Sequence, residues 1–532
     1  MKSLDAIIIS DYGRDTFSGT SPLRLHIDNN HLALIQNVQN FIENNGHIVE
    51  PVVGDNANWQ SAAKLNGIVL YSYLSRKGHK VELIDSFYNE KKYFNGLIQY
   101  SPKVIIVSTT FILNKKALIS LVNEIRSITN AKIIVGGPFV YSSYLLFKKI
   151  VDKKYDTESP KEDFLFISGN NNPDVDLFIV SRGGLTILSG VLDRLKFDGE
   201  INNFPNTARW DGNKYVFSKR IEETLNTEDI SIAWSEIPRR FFSSNVVNIQ
   251  ASVGCPYKCE FCNFVKDRQF TFIKPLDSLI NEIKEISSIG VKYVRFVDDN
   301  FRLGKPDLNE VCERFVSEGI NIYWMSFLRA STLEKTDLNL LKKAGCMEVQ
   351  IGIESADVNV LNNMNKKANP AMYKKIINEL LNHGINCSCC FVVGFPGETV
   401  DSYKRTIEFI ESIPQNNHKG LFYWSIYPFF FVPLSPIYEP DKREKYKLNG
   451  YMDTWDHITM NSSEAKKLVK RAFLDIRNSS PIYSGDNIDM LLKLAIEKRK
   501  DFFLKRHELA RLSLKGRFKK EQALEVFSKI LT

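Results

Sequence analysis

The sequence predicts an α/β protein with two parallel sheets and a C-terminal helical region. Short apolar runs alternate with amphipathic helical segments twice along the chain, a pattern typical of parallel sheets covered by helices. The polar residues that look functional follow the ends of these runs. After about residue 436 the alternation stops and helical stretches dominate.

The first alternation predicts a doubly wound, Rossmann-like domain over residues 1–204. Its predicted strands are AIIIS, KVELID, VIIVSTT, KIIVGG and DLFIVS, at 6–10, 80–85, 104–110, 132–137 and 176–181. Ligands of such sheets bind beyond the carboxyl ends of the strands. Small and polar residues follow these ends, as close approach to a large ligand requires, among them Ser108, Thr109, Gly136, Gly137, Arg182 and Gly183.

The rest of the chain predicts a linker over 205–245, a second alternation over 246–435 and a helical region over 436–532. The strands predicted in the second alternation lie at 247–252, 293–299, 322–327, 347–354, 389–395 and 421–427. Six strand–helix repeats predict a partial parallel (β/α)6 barrel with its active site at the carboxyl ends of the strands.

Composition and charge narrow the class of protein. The 532 residues are 43% hydrophobic and 25% charged, as in globular proteins. The uncharged segment 420–438 contains Pro428, Pro433 and Pro436, which favours a buried strand and loop over a membrane span. We find no secretory signal, and eight cysteines confined to 255–390 favour the reducing cytoplasm over a disulfide framework.

Most of the net charge of +8 lies near the C terminus. Between Lys493 and Lys520 eleven Lys and Arg residues stand against three Asp and Glu, an excess equal to the whole-chain value. We interpret this segment as solvated amphipathic helix. The alternatives are a nucleic-acid-binding module and a docking site for an acidic peptide, but the rest of the chain is near neutral and we do not expect nucleic acid as a partner.

Three cysteines fall within CPYKCEFC at 255–262. A structural zinc site needs four ligands, usually in two spaced pairs, whereas this triplet stands alone. A four-iron cluster has one ligand per iron, so Cys255, Cys259 and Cys262 would leave one iron open to a non-protein ligand. We interpret the other five as buried small residues rather than a second cluster, namely Cys312, Cys346, Cys387, Cys389 and Cys390.

With Phe261 before its last cysteine, this motif resembles that of the radical S-adenosylmethionine (SAM) superfamily. The resemblance implies that the open iron of a [4Fe-4S] cluster chelates SAM, and that an external donor such as flavodoxin or ferredoxin supplies the electron that cleaves it. It also implies SAM-binding positions at strand ends. These are Phe261 itself, Asp298 and Asp299 for the methionine amino group, Ser326 and Arg329 for the methionine carboxylate or the substrate, Glu354 for the ribose, and Gly394 and Pro396 of GFPGE for adenine.

A Rossmann-like domain ahead of this barrel resembles the cobalamin-binding class of the superfamily. Matching stretches are GIVLYSYLSRKGHKVELID, AKIIVGGP, FPNTARWDGNKYVF and WDHITMNSSEA. The resemblance implies that the strand-end residues of the first domain, from Ser108 to Gly183, contact cobalamin. Two features depart from the class: the Asp-x-His-x-x-Gly motif is absent, and SRGGLT replaces a Gly-Glu run, which puts Arg182 in an unusual place.

The function that follows from the resemblance is cobalamin-dependent methylation of an unactivated carbon in a small specialised metabolite or a peptide. The alternative is a radical rearrangement, cyclisation, epimerisation or dehydrogenation without methyl transfer. The missing histidine motif favours this alternative mildly.

Replacing Cys259 tests the cluster on which these expectations depend. We expect Cys259→Ala to lose iron and all SAM cleavage, because two thiolates cannot hold the cluster. Iron and sulfide content of anaerobically purified protein is the measurement, with Cys312→Ala as the control that keeps both. Full turnover by the Cys259 variant would contradict the prediction.

Overall fold

A computed structural model describes the chain in two compact units. One contains Met1–Ser18 and Ala63–Ile237, and the other Gly19–Ala62 and Pro238–Thr532. The described residues are 3–13, 26–27, 30–31, 35–46, 57–155, 162–167, 171–197, 199–201, 204–223, 230–263, 272–301, 307–414, 418–482 and 488–531. The predicted limits at 204, 245 and 435 stay a prediction.

The first unit is built on a seven-stranded sheet. Its strands are β1 (Ala6–Ile9), β2 (Val81–Ile84), β3 (Val104–Ser108), β4 (Lys132–Gly136), β5 (Leu177–Ile179), β6 (Thr207–Trp210) and β7 (Tyr215–Phe217). They lie in the order β2-β1-β3-β4-β5-β6-β7. Strands β1 to β5 are parallel, β6 runs antiparallel to β5, and β7 runs antiparallel to β6. The helices are Leu65–Arg76, Lys91–Ile98, Lys115–Arg126, Pro138–Val151 and Leu185–Lys196.

Strand β1 lies inside this sheet, between β2 and β3, and its side chains are wholly apolar. All four of its residues, AIII, are fully buried, and it pairs with β2 on one side and β3 on the other. A run without polar alternation is expected for a strand covered on both faces. One difference from the sequence prediction is that residues 207–217, within the segment predicted as a linker, extend the sheet as β6 and β7.

The second unit contains a parallel seven-stranded sheet. Its strands, neighbours in chain order, are β8 (Val246–Ile249), β9 (Tyr293–Phe296), β10 (Tyr323–Phe327), β11 (Cys346–Glu354), β12 (Asn386–Val393), β13 (Phe422–Pro428) and the short β14 (Ser480–Pro481). Helices follow at Leu276–Ser288, Leu308–Ser317, Ala330–Leu333, Leu338–Lys343, Val358–Asn363, Pro370–Asn382 and Val400–Glu411. The predicted α/β class is confirmed, while closure into a partial barrel stays a prediction.

The two faces of the second sheet differ. Trp324 of β10 packs against Phe296 and, from a helix, Phe315, so this face is covered by helices. The opposite face carries polar residues such as Arg295, and burial lowers the pKa of that guanidinium. Four of the five cysteines outside the motif are buried as predicted, namely Cys312, Cys346, Cys387 and Cys389, while Cys390 is partly exposed.

The C-terminal part combines a small ribbon with helices. The three-stranded ribbon contains Asn449–Tyr451, Thr454–His457 and Met460–Asn461, and the helices are Pro440–Tyr446, Ser462–Asp475, Ile488–Lys493, Ile496–Leu514 and Lys520–Leu531. The remaining short elements are the helices Ile35–Glu43, Trp234–Glu236, Arg239–Phe242 and Pro436–Tyr438, and the ribbons His26–Ile27 with Asn30–His31 and Ser252–Val253 with Phe272–Ile273.

The long basic helix, Ile496–Leu514, has the exposed charged face that the sequence predicted, with Lys498 and Lys505 on it, but its opposite face also buries a cation. Arg506 and His507 in its middle are fully buried, and the Arg506 guanidinium lies over the rings of Phe502 and Phe503. Aromatic packing lets a cation be buried on such a helix. No helix in the described part of the chain is long and apolar enough to cross a bilayer.

Residues from three distant parts of the chain pack together at the amino ends of β8, β9 and β11. We call this group the basal cluster; it consists of Ala57, Ala62, Val246, Tyr293, Met347 and Ile488. The Ile488 amide donates to the Ala57 carbonyl at 2.6 Å, which joins the early segment to the C-terminal helices. The segment 57–62 therefore belongs to the second unit, although the first unit follows it in sequence.

A substitution in β1 tests how much the burial of this strand stabilises the first unit. Ile8→Ala removes a fully buried side chain between two paired strands and should lower the free energy of unfolding of the first unit by about 3 kcal/mol. Urea denaturation is the measurement. Val216→Ala in β7, where the side chain is exposed, is the control and should change stability by less than about 0.5 kcal/mol.

Candidate functional site

The three cysteines of the motif lie in an irregular loop after β8. Gly254 enters it with a φ of 88°, and the Cys262 amide donates to the Cys259 carbonyl at 3.1 Å. Cys259 is buried, whereas Cys255 and Cys262 are partly exposed. In the described residues no three His, Cys, Asp or Glu side chains stand close enough to share one metal ion. A four-iron cluster does not require the three thiols to share one ion, because each would bind a different iron.

Asp298 and Asp299 shape the start of this loop. The Asp298 carboxylate accepts hydrogen bonds from the Ala251 amide and the Ser252 hydroxyl, and burial raises its pKa to about 6. The Asp299 carboxylate accepts from the Gly254 amide at 3.0 Å. Both residues predicted to bind the methionine amino group therefore lie beside the cysteine loop and bond to its backbone.

The loop after the helix Val358–Asn363 holds the cysteine loop from another side. The Glu260 amide donates to the Met364 carbonyl at 3.0 Å, and the Asn365 side-chain amide donates to the Lys258 carbonyl at 2.9 Å. From the C-terminal part, the Ile437 amide donates to the Glu260 carbonyl at 2.9 Å. The thiols are thus positioned by bonds to the backbone between them.

Arg329 follows β10 and contacts the same loop. Its Nη1 lies 3.6 Å from the Cys259 Sγ, its Nη2 donates to the Lys366 carbonyl at 2.7 Å, and its Cζ lies 3.6 Å from the centroid of the Tyr257 ring. Ser326, in contrast, lies on the same face of β10 as Trp324 because side chains alternate along a strand, which is the face covered by helices.

Glu354 ends β11 in an unusual conformation. Its φ is 69°, and its carboxylate pairs with the Lys366 ammonium at 2.7 Å, where both side chains are nearly buried. A Cβ on Gly352 would lie 2.4 Å from Glu354 Oε1, so only glycine leaves room for this pair. Lys366 also lies 5.8 Å from the centroid of the Phe261 ring. Sequence reasoning missed Lys366, since nothing in its spacing distinguishes it from a surface lysine.

The GFPGE turn is held by its own glutamate and by the ribbon. The Gly394 amide donates to the buried Glu398 carboxyl, and its carbonyl accepts from His457 Nε2 at 2.9 Å. A Cβ on Gly394, whose φ is 94°, would lie 2.5 Å from Trp455. The Pro396 carbonyl accepts from the Asn363 side chain. Glu398 and His457 were missed, although GFPGE and WDHITMN pointed to their neighbourhoods.

In the first unit, polar groups meet where β1 and β3 end. The Asn66 side-chain amide donates to the Ser10 carbonyl at 2.9 Å and to Ser108 Oγ at 2.8 Å. Ser10 Oγ and Asn66 Oδ1 are buried without a hydrogen-bond partner in the described structure. Strand order reverses between β1 and β3, which is where open parallel sheets bind their ligands.

The neighbouring strand ends carry the other predicted residues. Thr109 donates through its amide and hydroxyl to the Gly136 carbonyl, at 2.8 and 2.9 Å. Gly137 has a φ of 111°, and a Cβ there would lie 3.0 Å from Thr109. Arg182 is exposed and Gly183 half-buried after β5.

The hydroxyl and amide groups at these strand ends would fit the polar rim of a corrin, but the strand ends of the first unit carry no histidine. Its single histidine in the sequence is His79. His79 precedes the amino end of β2 and bonds to Ser189 at 2.9 Å. A corrin bound here would therefore rest on side chains other than histidine.

Known proteins resemble this chain in sequence and in fold. Residues 249–410 match the family model described as Radical SAM superfamily, which confirms the resemblance stated from the cysteine motif. An uncharacterized methyltransferase of Pyrococcus horikoshii is 22% identical over 360 residues, 65% of this chain and 73% of the relative. Bacteriochlorophyllide d C-12(1)-methyltransferase of Chlorobaculum tepidum is 27% identical over 276 residues, 50% of this chain and 57% of the relative.

Two solved structures share the fold. The cobalamin-dependent SAM radical enzyme OxsB, with aqua-cobalamin bound, superposes with a TM-score of 0.58 at 13% identity, over 99% of this chain and 84% of that one. The radical SAM methyltransferase TsrM from Kitasatospora setae, with cobalamin and a [4Fe-4S] cluster bound, has a TM-score of 0.55 at 13% identity, over 82% of this chain and 74% of that one.

The buried Glu398 carboxyl predicts a pH-dependent stability. Burial raises its pKa to about 8, so between about pH 4.5 and 8 it is protonated when folded and ionised when unfolded, and stability falls as the pH rises. Glu398→Gln keeps an acceptor for the Gly394 amide and removes this dependence. We expect the variant to gain stability over the wild type between pH 5 and pH 8 in urea denaturation. The exposed Glu408→Gln should show no such gain.

Proposed function

We propose that this radical SAM enzyme, whose residues 249–410 form the radical SAM domain, is a cobalamin-dependent methyltransferase acting on an unactivated carbon. The substrate class that we propose is a small specialised metabolite or a peptide. One observation carries the proposal: the same chain has a three-cysteine loop at the end of one parallel sheet and, in its other unit, a parallel sheet in which β1 lies between β2 and β3, with polar strand ends.

In this proposal Cys255, Cys259 and Cys262 hold the [4Fe-4S] cluster. When bound, the cluster supplies the electron that cleaves SAM and generates a 5′-deoxyadenosyl radical. The chain's own residues position the cofactors. Asp299 fixes the entry of the cysteine loop through Gly254. The Glu354 carboxylate would accept hydrogen bonds from the ribose hydroxyls of SAM, and its ion pair with Lys366 holds it in position.

The adenine of SAM would contact the turn that contains Gly394 and Pro396. His457 and Glu398 hold both peptide groups of Gly394, so the backbone that faces the cofactor is fixed before SAM arrives. Such preorganisation lowers the cost of binding, because less of the chain has to be ordered at that moment.

The residues that would hold cobalamin are those at the strand ends of the first unit, Ser108, Thr109, Gly136, Gly137, Arg182 and Gly183, joined by the partnerless atoms of Ser10 and Asn66. Cobalamin, when bound, supplies the methyl group that the substrate receives. The relatives support this assignment by their names, since two are methyltransferases and the OxsB and TsrM structures contain cobalamin. An external low-potential electron donor and a cytoplasmic location complete the proposal.

Anaerobic reconstitution tests the proposed function. Wild-type protein loaded with iron, sulfide and hydroxocobalamin should retain both cofactors. With SAM and a low-potential reductant it should form 5′-deoxyadenosine, and S-adenosylhomocysteine in amounts that depend on cobalamin. Cleavage to 5′-deoxyadenosine without any cobalamin-dependent S-adenosylhomocysteine would contradict methyl transfer and favour a radical rearrangement or cyclisation.

Gly137→Ala provides the matched site variant. Its Cβ would press on Thr109 at 3.0 Å in a backbone conformation that favours glycine, so we expect about tenfold weaker cobalamin retention and unchanged iron content. Gly96→Ala, in a helix where a Cβ meets nothing within 4 Å, is the control and should retain cobalamin fully. Equal retention by the two variants would argue against this strand end as the cobalamin site.

A further inference from the structure

We propose that Arg329 raises the reduction potential of the cluster and that it does not bind the methionine carboxylate. The inference rests on the proposed function, because it requires a cluster on the three cysteines. It differs from the role that sequence alone suggested for Arg329.

The contacts of Arg329 already engage both ends and one face of its guanidinium. Nη1 lies 3.6 Å from the Cys259 Sγ, within reach of an N–H···S hydrogen bond, and Nη2 donates to the Lys366 carbonyl at 2.7 Å. The Tyr257 ring covers one face, with 3.6 Å between Cζ and the ring centroid. Cysteine loop residues thus supply two of the three contacts, which orients Arg329 toward the thiols.

Within the described part of the chain, Arg329 differs from two lysines near the cysteine loop in having no carboxylate partner. Lys366 pairs with Glu354 at 2.7 Å, and Lys442 with Glu260 at 3.4 Å. No carboxylate of the described residues lies within ion-pair distance of the Arg329 guanidinium. Among the described residues, the guanidinium contacts the sulfur of Cys259, which is a thiolate once it binds iron.

A cation that donates a hydrogen bond to a cluster sulfur favours the reduced state. Reduction adds one negative charge to the cluster, and hydrogen bonds to the sulfurs, net charge and exposure set the potential of iron–sulfur clusters. Cys259 is the most buried of the three cysteines, so the field of Arg329 is screened little by water at this sulfur. Arg329 is therefore assigned to favouring reduction of the cluster rather than to binding SAM.

Two variants separate these roles. Arg329→Met removes the charge and both donors, and Arg329→Gln removes the charge but can still donate to the Lys366 carbonyl. EPR-monitored redox titration without SAM should show a lower midpoint potential in both variants than in the wild type. SAM should bind both variants with a dissociation constant within about twofold of the wild-type value, which corresponds to less than about 0.5 kcal/mol.

Arg314→Met is the matched control. Arg314, on the helix Leu308–Ser317, pairs with Asp277 and Glu318. Its substitution should leave the reduction potential of the cluster unchanged. An unchanged potential in both Arg329 variants, or a tenfold loss of SAM affinity, would overturn the inference. Loss of iron from both variants would make Arg329 a structural clamp and overturn it too. Wild-type protein without iron would instead overturn the proposed function.

Discussion

The geometry of the three thiols depends on bonds that other elements make to an irregular loop. Within the described part of that loop, the Cys262 amide and the Cys259 carbonyl form a single turn. Further bonds come from the ends of neighbouring strands and helices, through Asp299, Asn365 and Arg329. A parallel sheet makes this possible because all its strands end at one edge. The order of strands in the second unit is therefore a condition for the site.

The sequence predicted the strands well, because buried parallel strands consist of unbroken apolar runs. It placed the carboxyl ends of several strands too far along the chain, whereas the ends at Phe327 and Glu354 were predicted correctly. The polar residues after β9, Asp298 and Asp299, are part of the predicted strand but leave the ladder to bond to the cysteine loop. The hydrophobic pattern of the sequence does not show that Asp298 and Asp299 leave the strand, because polar and apolar residues alternate there as they do within a strand.

Strands β6 and β7 show a signal that sequence analysis overlooked. Asp211-Gly212 lies between TARW and YVF, a combination that favours a hairpin, and Asp211 accepts from the amides of Asn213 and Lys214. Lys366 and His457 carried no comparable signal. Their roles come from contacts with residues 12 and 63 positions away, Glu354 and Gly394, which depend on the folded arrangement of loops. The cluster ligands could be predicted from the sequence because all three cysteines lie within residues 255–262.

The basal cluster has a consequence for how the chain is divided experimentally. Ala57 and Ala62 pack with Val246, Tyr293 and Met347, although Ala63–Ile237 of the first unit lies between them in sequence. A truncated chain that starts at residue 246 would expose this apolar group to water and invite aggregation. During synthesis, the basal cluster is complete only after the chain has reached Ile488. We therefore expect the second unit to be stable when its early segment is supplied, in the same chain or as a separate peptide.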